Sequence, residues 1–238
     1  MAWHQKIKQH LSGELLRRTI SALLLAPAVL AIVVQGAVLY QCLIAAAALL
    51  ILQEWQGMVA NKADEWSSSK KKRWNICGLV YAMIFAFALL YLRESPKGLS
   101  VLIFIISITW ATDIAAYAAG RIIGGPKILP AVSPSKTWSG LAGGMLAASL
   151  VGAISVPFLA ETMQLINWFY GAILGMILAV VAQSGDFLES WIKRQCGVKD
   201  SGALIPGHGG ILDRLDGLWA VAIVVACMIA ANGGEIIQ

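Results

Sequence analysis

Apolar residues come in long blocks separated by short polar or Pro/Gly-containing breaks, and seven such blocks run along the chain, at about 19–35, 37–52, 76–92, 99–119, 138–158, 164–185 and 215–232. They approach or reach the roughly 20 residues that an α-helix needs to cross about 30 Å of hydrocarbon. Inside a bilayer a helix satisfies its own backbone hydrogen bonds, so the pattern predicts an all-α, polytopic membrane protein with about seven transmembrane helices. The first two blocks meet around Gln35 and Gly36 and together are too long for one crossing, which predicts a tight hairpin. Beyond the sixth block, Phe187, Leu188, Trp191 and Ile192 recur at helical spacing, with Glu189, Lys193 and Arg194 elsewhere on the wheel. That is the pattern of a helix lying in the interface.

Composition agrees with the blocks. Of 238 residues, 58% are hydrophobic and 13% charged, with a mean hydropathy of +0.74, which excludes an ordinary soluble domain. The chain divides by content into residues 1–98, N-terminal transmembrane helices with basic segments, and residues 99–238, which hold nearly all the polar residues that topology leaves unexplained. Four cysteines, Cys42, Cys77, Cys196 and Cys227, show no CxxC spacing and read as small apolar fillers rather than a zinc site or disulfide framework. Lys6, Lys8, Arg17 and Arg18 precede the first apolar run as in a signal peptide, but no clear small-x-small site follows, so the expectation is an uncleaved first helix.

The net charge of +5 matters less than where it falls. With the N-terminus inside, 16 of the 18 lysines and arginines lie on the inner side, and only Arg93 and Lys97 lie outside. Short cytoplasmic loops retain basic residues, so the interfacial helix and the polar segments face the cytoplasm and the C-terminus lies outside. The run Lys70–Arg73 reads as an anchor against anionic lipid, not as a nucleic-acid site. Trp55, Trp74, Trp138, Trp168 and Trp219 fall near span ends, where headgroup-level anchoring or ordinary packing would each place them. Gly171 and Gly175 form a GxxxG, and Gly140, Gly143 and Gly144 cluster in another span; both suit close helix approach.

Two inner segments concentrate the chemistry. Asp113 lies inside an apolar run, where a carboxylate costs about 2.5 to 3.5 kcal/mol unless paired or hydrated, so it either packs by hydrogen bonding or faces a polar cavity. Gly120, Arg121, Gly124, Gly125 and Lys127 follow, then Ser133, Ser135, Lys136 and Thr137 before Trp138. Glycines let backbone approach a ligand, and hydroxyls with lysine at a helix start suit phosphate oxygens; a capped helix start explains the segment equally well. The GxxxxGK[ST] phosphate loop is absent.

The second segment runs from Asp186 to Asp216 and includes Lys193, Arg194, Lys199, the turn Pro206-Gly207-His208-Gly209-Gly210, Asp213 and Arg214. If the last helix begins near Leu212, Asp213 and Asp216 share one face at its N-terminal end, while Asp186 stands at the inner end of the preceding span. Both helix ends then offer carboxylates to one place. Oxygen ligands of this kind favour Mg²⁺ bridging to substrate phosphates. His208 could serve as metal ligand or acid/base, or its loop could cradle phosphate through backbone.

These residues resemble a known signature. Ser190-x-Ile192-Lys193-Arg194, Lys199-Asp200-x-Gly202, Ile205-Pro206-x-His208-Gly209-Gly210 and Asp213-Arg214-Leu215-Asp216, at their spacing over 27 residues, resemble the pattern of the phosphatidate cytidylyltransferase (CDP-diacylglycerol synthase) family. Asp113 to Gly125, Ser133-Pro134, Lys136-Thr137-Trp138 and Arg18-Thr19-Ile20-Ser21-Ala22 are also similar to it, whereas Gly217 stands where a serine is usual. The resemblance implies an inner-membrane enzyme with a cytoplasmic site that converts CTP and phosphatidate to CDP-diacylglycerol and pyrophosphate. It also implies Mg²⁺ at Asp186 and Asp213 with Asp216 close by, a second cation being left open. Lys136, Lys193, Arg194 and Lys199 would contact phosphates, Arg214 and His208 would complete the reacting set, and Asp113, Arg121, Lys127, Ser133, Thr137, Gly209 and Gly210 would line the substrate site. Membrane lipids are expected partners, a homodimer is a candidate assembly, and nucleic acid is not expected. The rival functions are a CTP-dependent polyprenol-type lipid kinase and an ion or solute transporter; transport predicts polar groups spread over the membrane depth, whereas here they gather on one side.

Overall fold

The computed structural model describes residues 23–161, 163–204 and 209–233, and within them the regular structure is helical. A shorter apolar helix, α1 (Leu23–Gln35), precedes six longer ones: α2 (Ala37–Ala60), α3 (Ser68–Glu94), α4 (Gly98–Ile122), α5 (Trp138–Leu159), α6 (Leu165–Gln195) and α7 (Leu212–Ala231). The six are long and apolar enough to cross a membrane; α1, over its described residues, is shorter. Gly36 and Ala37 both take positive φ, 68° and 48°, making a one-residue break between α1 and α2. Val29 and Val33 line one apolar cavity with Tyr40, Ile44 and Ala47.

Several helices outrun the apolar blocks that announced them. Helix α3 begins at Ser68, capped by the Ser67 side chain accepting from Lys70 N, so the basic run lies on its first turns. Intrahelical hydrogen bonds do not depend on lipid, and a helix continues past the hydrophobic boundary until something caps or breaks it. The same reasoning corrects the expected interfacial helix. Phe187, Leu188, Trp191 and Ile192 lie on the last turns of α6, which runs unbroken for 31 residues. At 1.5 Å per residue it is about 46 Å long against a hydrocarbon core of about 30 Å, so it is long enough to carry its last turns, from about Ser184, out of the hydrocarbon.

Glycines set the spacing of the central helices. A Cβ on Gly171 would overlap the Gly152 carbonyl, and one on Gly175 the Ala148 carbonyl, so α5 and α6 touch backbone to backbone. On the other side of α5, a Cβ on Gly144 would stand 3.1 Å from the Thr112 carbonyl oxygen of α4. Close approach was the expected use of both glycine groups. Gly175→Leu is therefore expected to cost at least about 2 kcal/mol through overpacking, visible as a lowered melting temperature of the detergent-solubilised protein.

The chain connections gather at two ends. One end holds the links α2–α3, α4–α5 and α6–α7; of the described lysines and arginines, only Arg93 and Lys97 lie at the other. Near the basic end Trp55, Trp66, Trp74, Tyr81, Trp191 and Trp219 form a chain of ring contacts, the closest being Tyr81 stacked on Trp219 at 4.3 Å. Trp55 donates to the Trp74 carbonyl at 2.8 Å and Trp219 to the Tyr81 carbonyl at 3.1 Å. For Trp55, Trp74 and Trp219 packing is thus the outcome, while Trp138 and Trp168 remain exposed.

Candidate active site

The link between α4 and α5 folds as a small hairpin strip, with Ile128 N donating to the Lys136 carbonyl and Trp138 N to the Pro126 carbonyl. Thr137 ends the strip as the N-cap of α5, its hydroxyl accepting from Gly140 N at 3.1 Å, so the capped-start reading of this segment holds. The strip closes over the basic ends of α4, α5 and α6 and leaves a cavity of about 500 Å³. Of the expected residues, Asp113, Arg121, Lys127, Lys136, Thr137 and Asp186 line it; Tyr117 and Gln183 line it too and were not foreseen.

Lys136 is the pivot of that cavity. Its ammonium pairs with Asp186 and donates to Gln183 Oε1 at 3.0 Å, and it lies 5.3 Å from the Phe187 ring. Asp113 is exposed to the cavity and within electrostatic reach of Asp186, Lys136 and Arg214, which settles its cavity-facing reading. Arg121, at the mouth, donates to the Tyr117 hydroxyl at 2.5 Å, and Lys127 to the Ser135 carbonyl at 3.2 Å.

A second cluster lies one to two turns further along α6. Lys193 bridges Glu189 at 2.5 Å and Asp213 at 2.6 Å. Asp213 also accepts from Ser201 N at 3.1 Å, from the Ser201 hydroxyl at 3.0 Å and from Gly210 N at 2.9 Å, and its position in the first turn of α7 suits a negative charge. Gly209 has φ +84° and its Cα faces the same carboxylate: an added Cβ would be 3.0 Å from Asp213 Oδ2. Glu189 is 1% exposed, and its Oε1 has no hydrogen-bond partner among the described residues.

Asp216 joins the two clusters. It accepts from its own Gly217 N at 2.8 Å and interacts electrostatically with Asp186, Glu189 and Lys136. The contact is possible because α6 and α7 meet closely: a Cβ on Gly185 would overlap the Asp216 carbonyl, and one on Gly217 would stand 3.1 Å from Asp186 Oδ1. Helices α6 and α7 run antiparallel here, so Asp186 lies opposite Gly217 and Lys193 opposite Asp213, one turn of α7 away.

The remaining expected residues stand elsewhere. Ser133 is buried outside the cavity lining, Arg194 donates to the Val198 carbonyl at 3.0 Å as it closes the end of α6, and Lys199 is exposed in the α6–α7 link. His208 falls outside the described residues, as do Arg18-Thr19-Ile20-Ser21-Ala22. Glu54 of α2 was missed altogether. It is 8% exposed and reaches Ser201, Ile211 and Leu212. The signal available in sequence was a carboxylate beside an apolar block, the same cue that marked Asp113.

Among the described residues, no three His, Cys, Asp or Glu side chains form a ready-made metal cage. The expected trio divides: Asp186 and Asp216 interact, while Asp213 is engaged by Lys193. The donor set nevertheless fits Mg²⁺. Asp186 interacts electrostatically with both Asp113 and Asp216, with Lys136 beside it, and Mg²⁺ typically takes one or two carboxylates, with water and substrate phosphate as its other ligands.

Residues 64–231 match the sequence model of the cytidylyltransferase family. A phosphatidate cytidylyltransferase of Brucella suis is 41% identical over 206 residues, covering 86% of this chain and 70% of the relative. Proteins of the same name from Rickettsia bellii and Rickettsia conorii are 33% and 31% identical, and the chain covers 95% and 97% of their lengths.

Proposed function

Because this chain belongs to the cytidylyltransferase family, we infer that it is a phosphatidate cytidylyltransferase: an integral membrane enzyme that transfers a cytidylyl group from CTP to phosphatidate, yielding CDP-diacylglycerol and pyrophosphate for phospholipid synthesis. The observation that carries the reading is the meeting of two lysine–carboxylate pairs, Lys136 with Asp186 and Lys193 with Asp213, drawn from separate parts of the chain to one end of the helix bundle. A phosphate-rich substrate needs cations held in place before it arrives, and both lysines are held by carboxylates rather than left free to sample rotamers.

In the reaction, a phosphatidate oxygen attacks the α-phosphorus of CTP in line. A new P–O bond forms, the bond from the α-phosphorus to the bridging oxygen breaks, and pyrophosphate leaves with that oxygen. Such a transfer depends on positioning and charge neutralisation, and needs no nucleophilic side chain. Lys136, Arg121 and Lys127 supply positive charge along the cavity, and Lys193 supplies it beside Asp213. Asp186 and Asp216 would hold Mg²⁺, with Asp213 one turn away; when bound, the ion neutralises charge on the phosphates. The basic end of the bundle faces the cytoplasm of the cell inner membrane in this reading, following the distribution of lysine and arginine.

The test is product identity. Purified protein given Mg²⁺, phosphatidate and CTP labelled at the α-phosphorus is expected to move the label into lipid, with one pyrophosphate released per label transferred. Release of labelled CDP alongside an unlabelled phosphorylated lipid would replace this assignment with a lipid kinase.

A further inference from the structure

Glu54 precedes the stretch that matches the family, which begins at residue 64, yet its side chain sits inside the signature. Its Oε1 accepts from Ile211 N at 2.8 Å, and its Oε2 accepts from Leu212 N at 2.9 Å and lies 2.9 Å from the Ser201 hydroxyl. Ile211 is the N-cap residue of α7 and provides no side-chain cap. The carboxylate of α2 therefore does from 158 positions away what a local Ser or Asp does at most helix starts: it satisfies amides that have no intrahelical partner and places negative charge at the positive end of the helix dipole. The Ser201 hydroxyl, with one proton, stands between Glu54 Oε2 at 2.9 Å and Asp213 Oδ2 at 3.0 Å, so the two carboxylates share a single donor.

Two glycines of the signature acquire a reason from this residue. A Cβ on Gly202 would stand 2.8 Å from Glu54 Oε1, and one on Gly210 would overlap the Ser201 hydroxyl that Glu54 holds and stand 2.5 Å from Glu54 Oε2. Neither glycine has positive φ, so neither is required by a left-handed backbone. Both are bare where the Glu54 carboxylate lies.

We propose that Glu54 is the positioning residue of the site: it anchors the α6–α7 link and the start of α7, and through Ser201 fixes the orientation of Asp213. It touches neither reacting atom; its effect falls on how tightly the nucleotide is held. The proposal rests on the reading of Asp213 as part of the CTP site, and its first test does not need turnover. In the full chain in nanodiscs, Glu54→Ala is expected to raise hydrogen–deuterium exchange at the amides of 210–212 at least tenfold and to leave α5 unchanged. KM for CTP is expected to rise fivefold or more, exceeding any fall in kcat. Gly202→Ala is expected to reproduce both changes alone, because its methyl displaces the carboxylate, and to add less than twofold in the Glu54→Ala background. Unchanged exchange at 210–212, exchange raised uniformly over all helices, or a Gly202→Ala effect that multiplies equally in both backgrounds would each overturn the proposal. If wild-type protein does not turn over CTP and phosphatidate, the functional reading fails, while the exchange rates still decide the role of Glu54.

Discussion

Asp213→Asn is expected to reduce turnover of CTP and phosphatidate by about 10³-fold while leaving a folded protein, an order of loss typical of removing one preorganised electrostatic group. The asparagine keeps one oxygen to accept from Gly210 N and the Ser201 amide, so the start of α7 stays in place. What it loses is the charge. Lys193 would remain paired with Glu189 alone and would swing toward that buried carboxylate, away from the position 2.6 Å from Asp213 Oδ1. Steady-state kinetics with Mg²⁺ titration, set beside a melting curve, checks both parts. Wild-type turnover in a well-folded Asp213→Asn protein would remove this carboxylate from the reaction.

Lys136→Met carries the second large effect, and it divides into two. The lysine and Asp186 have 19% and 18% of their side-chain surface exposed, and Asp113 and Asp216 lie within electrostatic reach of the same spot. Removing the cation leaves carboxylates facing one another without it, expected to cost about 1–3 kcal/mol of stability. It also removes the lysine closest to where substrate phosphate would sit, expected to cost about 10²-fold or more in kcat/KM. Lys136→Met/Asp186→Asn isolates the first: with the charge imbalance reduced, the melting temperature should return toward wild type. Lys136→Met alone decides the second: wild-type kcat/KM in a folded Lys136→Met protein would leave Lys136 only a structural counter-ion.

Much of this arrangement could be read before any coordinates. Alternation of polar breaks with apolar blocks gives the parity of the helices, and parity alone puts Asp113, Lys136, Asp186 and Asp213 at one end of the bundle. The start of α7 at Leu212 puts Asp213 and Asp216 on one face, as their three-residue spacing required. Other features were hidden for identifiable reasons. The sixth apolar block ends at about Gly185, but α6 passes through it, and the missing side chain serves contact with Asp216 on another helix. The role of Glu54 depends on partners 147 to 158 positions away, and no local pattern encodes a contact of that range. Nor does spacing reveal which lysine neutralises which carboxylate: Asp186 and Asp213 look equivalent as ligands in sequence, and the fold gives each its own lysine.

The unbroken length of α6 has a consequence for solubility. A diacyl lipid is confined to oil and a nucleoside triphosphate to water, and a reaction between them is limited by the cost of bringing either across the boundary. A rod of about 46 Å set in a slab of about 30 Å carries its own boundary marker, and on α6 that marker falls about where Asp186 begins the charged turns. Each reactant can then present its phosphate at the same height while the rest of it stays in the phase where it dissolves.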